Sequence, residues 1–310
     1  MRLCRTIALI FFVGAVLSIP GCIMEDNKGC VWAIDVSFFS QTICQPEHDY
    51  PPEIEDLLIC VFDGDGVLVD YRHKNDVTIG PAYFERFDMR RNGTYSVAAW
   101  SGIADPLFAV GELTVGGTRK DDLLFRLKRS NSRTTLSENT VVYYGDSPGV
   151  YVAGSKRGAS NTTVNLKEVT NRLTVVVEGL LANPEDYEIC VESDDGSMTL
   201  GGRIADDEVI MFDPFERIEQ VRLTACFAML KLEPEHVNIL LIRNVAENEV
   251  VFEEDLLETL LLKNPGIYLE CDHDFVIRLT GTEVAEDGTY MITEIRVNEW
   301  LVYSYEWEGN

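Results

Sequence analysis

The chain has 310 residues, 46% of them hydrophobic and 10% aromatic, which is enough for a sizeable core and, by length, for two domains. Acidic residues outnumber basic ones by 52 to 26, a net charge of −26 at pH 7. That balance excludes nucleic acid as a partner, because phosphate binding needs a basic face.

The chain opens on Arg2 and Arg5, followed by the apolar run TIALIFFVGAVLSI (Thr6 to Ile19), which is too short to span a bilayer. Ile19-Pro20-Gly21-Cys22 then resembles a bacterial lipobox, in which the chain is cut behind a small residue and the exposed cysteine is acylated. This predicts a signal peptide over residues 1–21, cleavage between Gly21 and Cys22, and diacylglycerol on the Cys22 thiol. Ile19 and Pro20 depart from the usual pattern, and the alternative is an ordinary signal peptide with an incidental cysteine. Glu25 and Asp26 follow at once, and in some Gram-negative lipoproteins such an acidic pair accompanies export to the outer surface. Lipid chains would anchor the protein to a membrane rather than span it.

Apart from Cys4 and Cys22, six cysteines remain: Cys30, Cys44, Cys60, Cys190, Cys226 and Cys271. In an exported protein they are disulfide candidates, Cys30 with Cys44 or Cys60 near the tether, with the connectivity left open. Cys190 and Cys226 sit in apolar runs and read as buried thiols. No CxxC or His-Cys spacing suggests zinc, and neither a metal nor a cofactor site is read from the chain.

Period-two alternation dominates the chain, and strands are predicted at Val31 to Phe39, Leu57 to Phe62, Val67 to Tyr71, Gly93 to Trp100, Leu123 to Leu127 and Thr140 to Tyr144. It continues at Thr162 to Leu166, Arg172 to Glu178, Tyr187 to Glu192, Val221 to Leu230, Asp274 to Thr280 and Tyr290 to Tyr305. Turn residues punctuate them at Asp63-Gly64-Asp65-Gly66, Asn92-Gly93, Gly116-Gly117, Asp195-Gly196 and Asp287-Gly288. That is the spacing of stacked antiparallel sheets. Glu253 to Lys263 alone has a clear helical pattern, stopped by Asn264-Pro265-Gly266. The expected organisation is an N-terminal β-sandwich domain over residues 22–168 and a C-terminal one over 169–310. Trp100, Trp300 and Trp307 are expected in or beside cores.

Cys60 to Tyr71 (CVFDGDGVLVDY) resembles the nucleophile strand of a haloacid-dehalogenase-type phosphatase, with Asp63 attacking phosphorus, Asp65 protonating the leaving group and magnesium between them. Tyr143 to Pro148 (YYGDSP) resembles the metal-binding loop of that superfamily, with Lys120 or Lys128 as its base and Ser101 as its hydroxyl. Three features oppose this reading. Val150 stands where a second acid is expected after Asp146. A parallel sheet needs helical crossovers, and the nearest helix candidate, Pro81 to Arg91, would supply only one. The run after Gly66 is a second strand, so Asp63 to Gly66 reads as a hairpin turn. A Ca²⁺ held by Asp63 and Asp65 is a further use of that cluster, although the EF-hand spacing is not met.

From Cys22 onward a series of motifs, in order, resembles the FimB-type fimbrial anchor family of Bacteroidia, outer-membrane lipoproteins of type V fimbriae. The motifs are Cys22 with its acidic spacer and Cys30, Val31 to Val36, the Leu57 to Val69 hairpin, and the strand from Gly93 ending in Trp100. Asn161 to Glu178, Leu180 to Ile189 and the closing Phe275 to Ile277 and Ile295 to Trp300 complete the series. The resemblance implies an all-β fold of two tandem transthyretin-like (Ig-like) antiparallel sandwiches with few helices, and no catalysis. It also implies a lipid anchor in the outer membrane and joining to fimbrial shaft pilin subunits by strand complementation. The competing expectations are a surface lipoprotein that binds a glycan or protein outside a fibre, and the phosphatase built on Asp63 and Asp65.

Overall fold

Alternation of buried and exposed side chains governs the computed structural model, which describes residues 32–153, 158–179, 184–220, 222–283 and 290–305. The chain is all-β. Its first half supplies β1 (Trp32–Phe39), β2 (Asp56–Asp63), β3 (Leu68–Asn75), β4 (Phe84–Met89), β5 (Gly93–Ser101), β6 (Phe108–Val110), β7 (Leu123–Leu127), β8 (Arg133–Thr134), β9 (Tyr143–Asp146), β10 (Val150–Val152), β11 (Gly158–Asn165) and β12 (Lys167–Glu168). The second supplies β13 (Asn171–Glu178), β14 (Tyr187–Ser193), β15 (Ser197–Thr199), β16 (Ile210–Phe212), β17 (Glu216–Glu219), β18 (Leu223–Met229), β19 (Asn238–Asn244), β20 (Glu249–Asp255), β21 (Asp274–Glu283), β22 (Tyr290–Val297) and β23 (Trp300–Ser304).

In the first half, the sheet β11-β1-β4 packs on the sheet β12-β9-β5-β2-β3, with β10 added beside β5. Ile34, Val36 and Phe38, at alternate positions of β1, meet Leu57, Ile59 and Val61 of β2 and Val97 and Ala99 of β5. The intervening Leu58, Cys60 and Phe62 are buried on the opposite face, in a second cluster. A strand covered on both faces reads as an unbroken apolar run, which is why LLICVF lacks alternation. In the second half, β17-β18-β13-β21-β22-β23 faces β20-β19-β14-β16-β8. Phe227, Phe275 and Ile277 from one sheet and Val191, Phe212 and Ile242 from the other belong to one core.

The halves are knit together. β8 pairs with β16 and so extends a sheet of the second half, while β15 of the second half pairs with β7 and joins the first-half hairpin in the sheet β15-β7-β6. Trp100 is fully buried between them: its indole N–H donates to Leu200 O at 3.1 Å, and Phe125 meets its ring edge-on at 5.4 Å. Lys167 of β12 is ion-paired with Glu270 at 3.0 Å. A disulfide joins Cys44 to Cys271 across a sequence separation of 227, with Cα atoms 6.1 Å apart. Cys44 therefore pairs across the molecule instead of with Cys30, which lies outside the described residues, and Cys60 is a buried free thiol. Cys190 is a buried free thiol and Cys226 a half-buried one.

Three elements differ from expectation. Glu253 to Asp255 belongs to a strand, β20, paired with β19, and only Leu256–Leu260 and Leu261–Lys263 are helical, as a π turn and a 3₁₀ turn. Asp255 explains the switch, because its Oδ1 accepts from the N–H groups of Leu257 and Glu258 and so caps the turn at the end of the strand. Part of Pro81 to Arg91 forms β4 rather than a helix. Tyr290 to Tyr305 is two strands, reversed at Asn298-Glu299.

Candidate functional site

The Asp63 to Gly66 segment is the turn of the β2–β3 hairpin. Asp63 Oδ1 accepts from Asp65 N and Val67 N, both at 3.0 Å, closing the turn on itself. Gly66 takes the positive φ of +73° that the reversal requires. Arg119 donates to Asp65 O at 2.8 Å. Asp146 stands apart on β9 and is ion-paired with Lys120 at 3.0 Å. In register, Asp63 lies opposite Tyr95 and Asp146 opposite Ala98, on the two flanks of β5. The carboxylates that would have to share a magnesium ion are thus held in different places. Among the described residues no group of three or more His, Cys, Asp or Glu side chains converges as a metal set. Gly21 and Cys22, the expected cleavage and lipidation site, lie outside the described residues.

A different feature stands out at the other end of the chain. The turn between β22 and β23 is two residues long, with φ of +45° at Asn298 and +64° at Glu299, as in the tight turns that match strand twist. Asn298 holds it in place: its N–H donates to Val276 O at 2.8 Å and its Oδ1 accepts from Val276 N at 2.7 Å. Among the described residues β23 is thereby laid as the last strand of its sheet, bonded to β22 on one side only. Its sequence, WLVYS, carries no charge. Trp300 is 51% exposed, Leu301 44% and Tyr303 44%, with Tyr305 following at 51%, while Val302 packs against the core. Trp300, expected in or beside a core, is therefore half in solvent.

Edge strands are normally blunted by charge; the edge strands β6 (FAV), β11 (GASNTTVN) and β15 (SMT), like β23, lack it, while others carry it. β17 reads ERIE, β20 reads EVVFEED and β3 reads LVDYRHKN. β23 offers open main-chain groups flanked by large apolar side chains, the combination that accepts an extended segment by strand addition. Reading Tyr290 to Tyr305 as one strand hid this edge; the polar pair Asn298-Glu299 between two apolar runs was the signal for it. Where the halves meet, a cleft of about 580 Å³ lies among Tyr144, Asn165, Lys167, Asn171, Lys231 and His273.

The family described as fimbrillin-A associated anchor proteins Mfa1 and Mfa2 matches residues 36–306. The minor fimbrium anchoring subunit Mfa2 of Porphyromonas gingivalis is 32% identical over 308 residues, 97% of this chain and 94% of that protein. The solved structure of the fimbrial anchor protein Mfa2 from the same organism has a TM-score of 0.83 at 33% identity, covering 89% of this chain and all of the other. A Bacteroides thetaiotaomicron structure described as a candidate adhesin shares the fold, with a TM-score of 0.70 at 18% identity over 88% of this chain and 97% of that one. The Mfa2-type relatives are structural components of fimbriae rather than enzymes, so the phosphatase reading of Asp63 and Asp65 falls both on geometry and on kinship. The chain belongs to the family of fimbrillin-A associated anchor proteins.

Proposed function

We propose that the protein is an outer-membrane lipoprotein that anchors a fimbria at its base, held to the membrane by lipid on Cys22. A shaft pilin engages it by adding an extended segment to the open edge of β23. In this reading residues 22–168 and 169–310 are its two domains. The observation that carries the proposal is the 32% identity to a minor fimbrium anchoring subunit over 97% of the chain. The apolar run before Gly21-Cys22 supports export and acylation. The disulfide supports an oxidising compartment, and the uncharged, exposed β23 supports strand addition.

The test is growth of producing cells with labelled palmitate, comparing the native protein with Cys22→Ala. Label is expected in the native protein and absent from the variant, whose fimbriae are shed into the medium. Equal labelling of the two would end the lipid-anchor reading, and unchanged fimbrial retention would end the anchoring one.

A further inference from the structure

The segment Ser193-Asp194-Asp195-Gly196 joins β14 to β15 and packs beneath the loop that leads into β19. Asp195 is 1% exposed, yet neither of its carboxyl oxygens has a hydrogen-bond partner, and Asp194 Oδ1 is likewise buried without one. Three carboxylate oxygens on consecutive residues are thus out of water and unmatched. A fold does not carry such a group uncompensated; it is paired, metal-bound or neutralised.

Neutral oxygens stand beside it. Ser193 Oγ donates to Asn238 Oδ1 at 3.0 Å and accepts from Asp195 N at 3.3 Å, and neither Ser193 nor Asn238 is more than 1% exposed. The proton of Ser193 points to Asn238, and the Ser193 hydroxyl with the main-chain N–H groups of Leu230 and Asp195 only partly offsets the cost of burying the Asp195 carboxylate. The nearby basic groups are engaged elsewhere. His236 Nδ1 lies 3.0 Å from the other oxygen of Asp194, with Glu233 3.8 Å from its Nε2, and Lys231 is paired with Glu233.

We propose that Asp194 and Asp195 form a binding site for a divalent cation of the Ca²⁺ class, with Ser193 Oγ and Asn238 Oδ1 as neutral oxygens of the same centre. An all-oxygen donor set selects a hard cation, and a loop between strands has the flexibility Ca²⁺ tolerates and Mg²⁺ does not. Among the described residues no set of three His, Cys, Asp or Glu side chains converges, so this centre rests on two carboxylates and neutral oxygens. Such a cation would fix the 231–236 loop from beneath, and that loop contributes Lys231, Leu232, Glu233 and Pro234 to the wall of the cleft between the halves. The rival state is a proton: burial pushes the Asp195 acid up to about 8, so without a cation the carboxyl is neutral at pH 7.

The full chain, stripped with chelator, is dialysed against Ca²⁺ and melted with and without it. One Ca²⁺ per chain is expected, with a Kd in the range of about 0.1–1 mM typical of extracellular modules. At a hundredfold excess over Kd, Tm rises by about 5 °C. Asp195→Asn abolishes both effects. Should that variant not fold, Asp194→Asn, whose side chain is 23% exposed in the parent protein, weakens Ca²⁺ binding by at least about tenfold with the fold retained. The proposal is overturned if the native protein takes up no Ca²⁺ and its stability declines as pH rises from about 4 through about 8, while Asp195→Asn shows no such decline. The sign follows because the raised acid favours the protonated folded form below its own pKa, and that advantage is lost as pH climbs through it. Asp194, Glu233 and His236 are ionisable neighbours, so the comparison is between variants rather than between pH values alone.

Discussion

Asp63 shows how one side chain can look chemical and be architectural. A nucleophile needs its oxygen free; Asp63 Oδ1 holds two main-chain N–H groups of its own turn. Asp63→Ala is expected to lower stability by about 1–2 kcal/mol, the worth of the two bonds less their exchange with water, as read from urea unfolding. Asp63→Asn keeps an oxygen in the same place and should lie within about 0.5 kcal/mol of the parent. A catalytic nucleophile would not tolerate that exchange, so equal losses for the two variants would contradict the turn assignment. This role was legible because Asp-Gly-Asp-Gly between two apolar runs is turn chemistry wherever it occurs. Asp195-Gly196 carries the same local signature, and nothing in it reveals burial. Asn238 and the 231–236 loop bury that pair, and they come some forty residues later in the chain, beyond the reach of local pattern.

Among the elements, the strands whose alternation survives on a half-buried sheet were legible in the sequence, β1, β13 and β18 foremost. β20 was not, because its acids mimic the first turn of a helix and the five leucines that follow up to Lys263 strengthen that pattern. Its partner β19, Asn238–Asn244, was missed altogether, because its apolar residues Ile239 to Ile242 form an unbroken run without alternation. In the proposed function β23 matters most. Leu301→Lys and Tyr303→Lys together place on this edge the charges that β3, β17 and β20 already carry. They are expected to weaken pilin attachment at least tenfold, measured by co-purification of shaft subunits, with the circular dichroism spectrum unchanged. Full attachment by the double variant would move the docking site to another edge. Because the substituted side chains are exposed and the main chain of β23 remains bonded to β22, stability should change by no more than about 0.5 kcal/mol per site.

At the scale of the whole molecule, the two halves share a buried cluster, exchanged strands and one covalent link. Reducing the Cys44–Cys271 bond, or replacing Cys271 by Ser, is expected to lower unfolding stability by about 2–5 kcal/mol, as closure of a very long loop implies. An unchanged denaturation midpoint would show that the shared core alone holds the halves. Cys60 and Cys190 offer no alternative partner, since burial pushes both thiols up to about 12 and keeps them protonated. The link also sets how the protein meets tension. With lipid on Cys22 and a fibre on β23, a pull on the fibre enters the chain through the tether and first loads β1, which would have to be sheared from β4 and β11. Past β1 the next stop is Cys44, and there the force leaves the backbone. It crosses to Cys271, three residues before β21, and continues through β22 to β23. The chain between the two cysteines is bypassed, so among the described residues the length that can straighten before the bond bears load is residues 32–44, a contour of roughly 45 Å of which β1 is already extended. What looks in the fold like a staple acts under load like a seat belt: a short run of slack, then a stop.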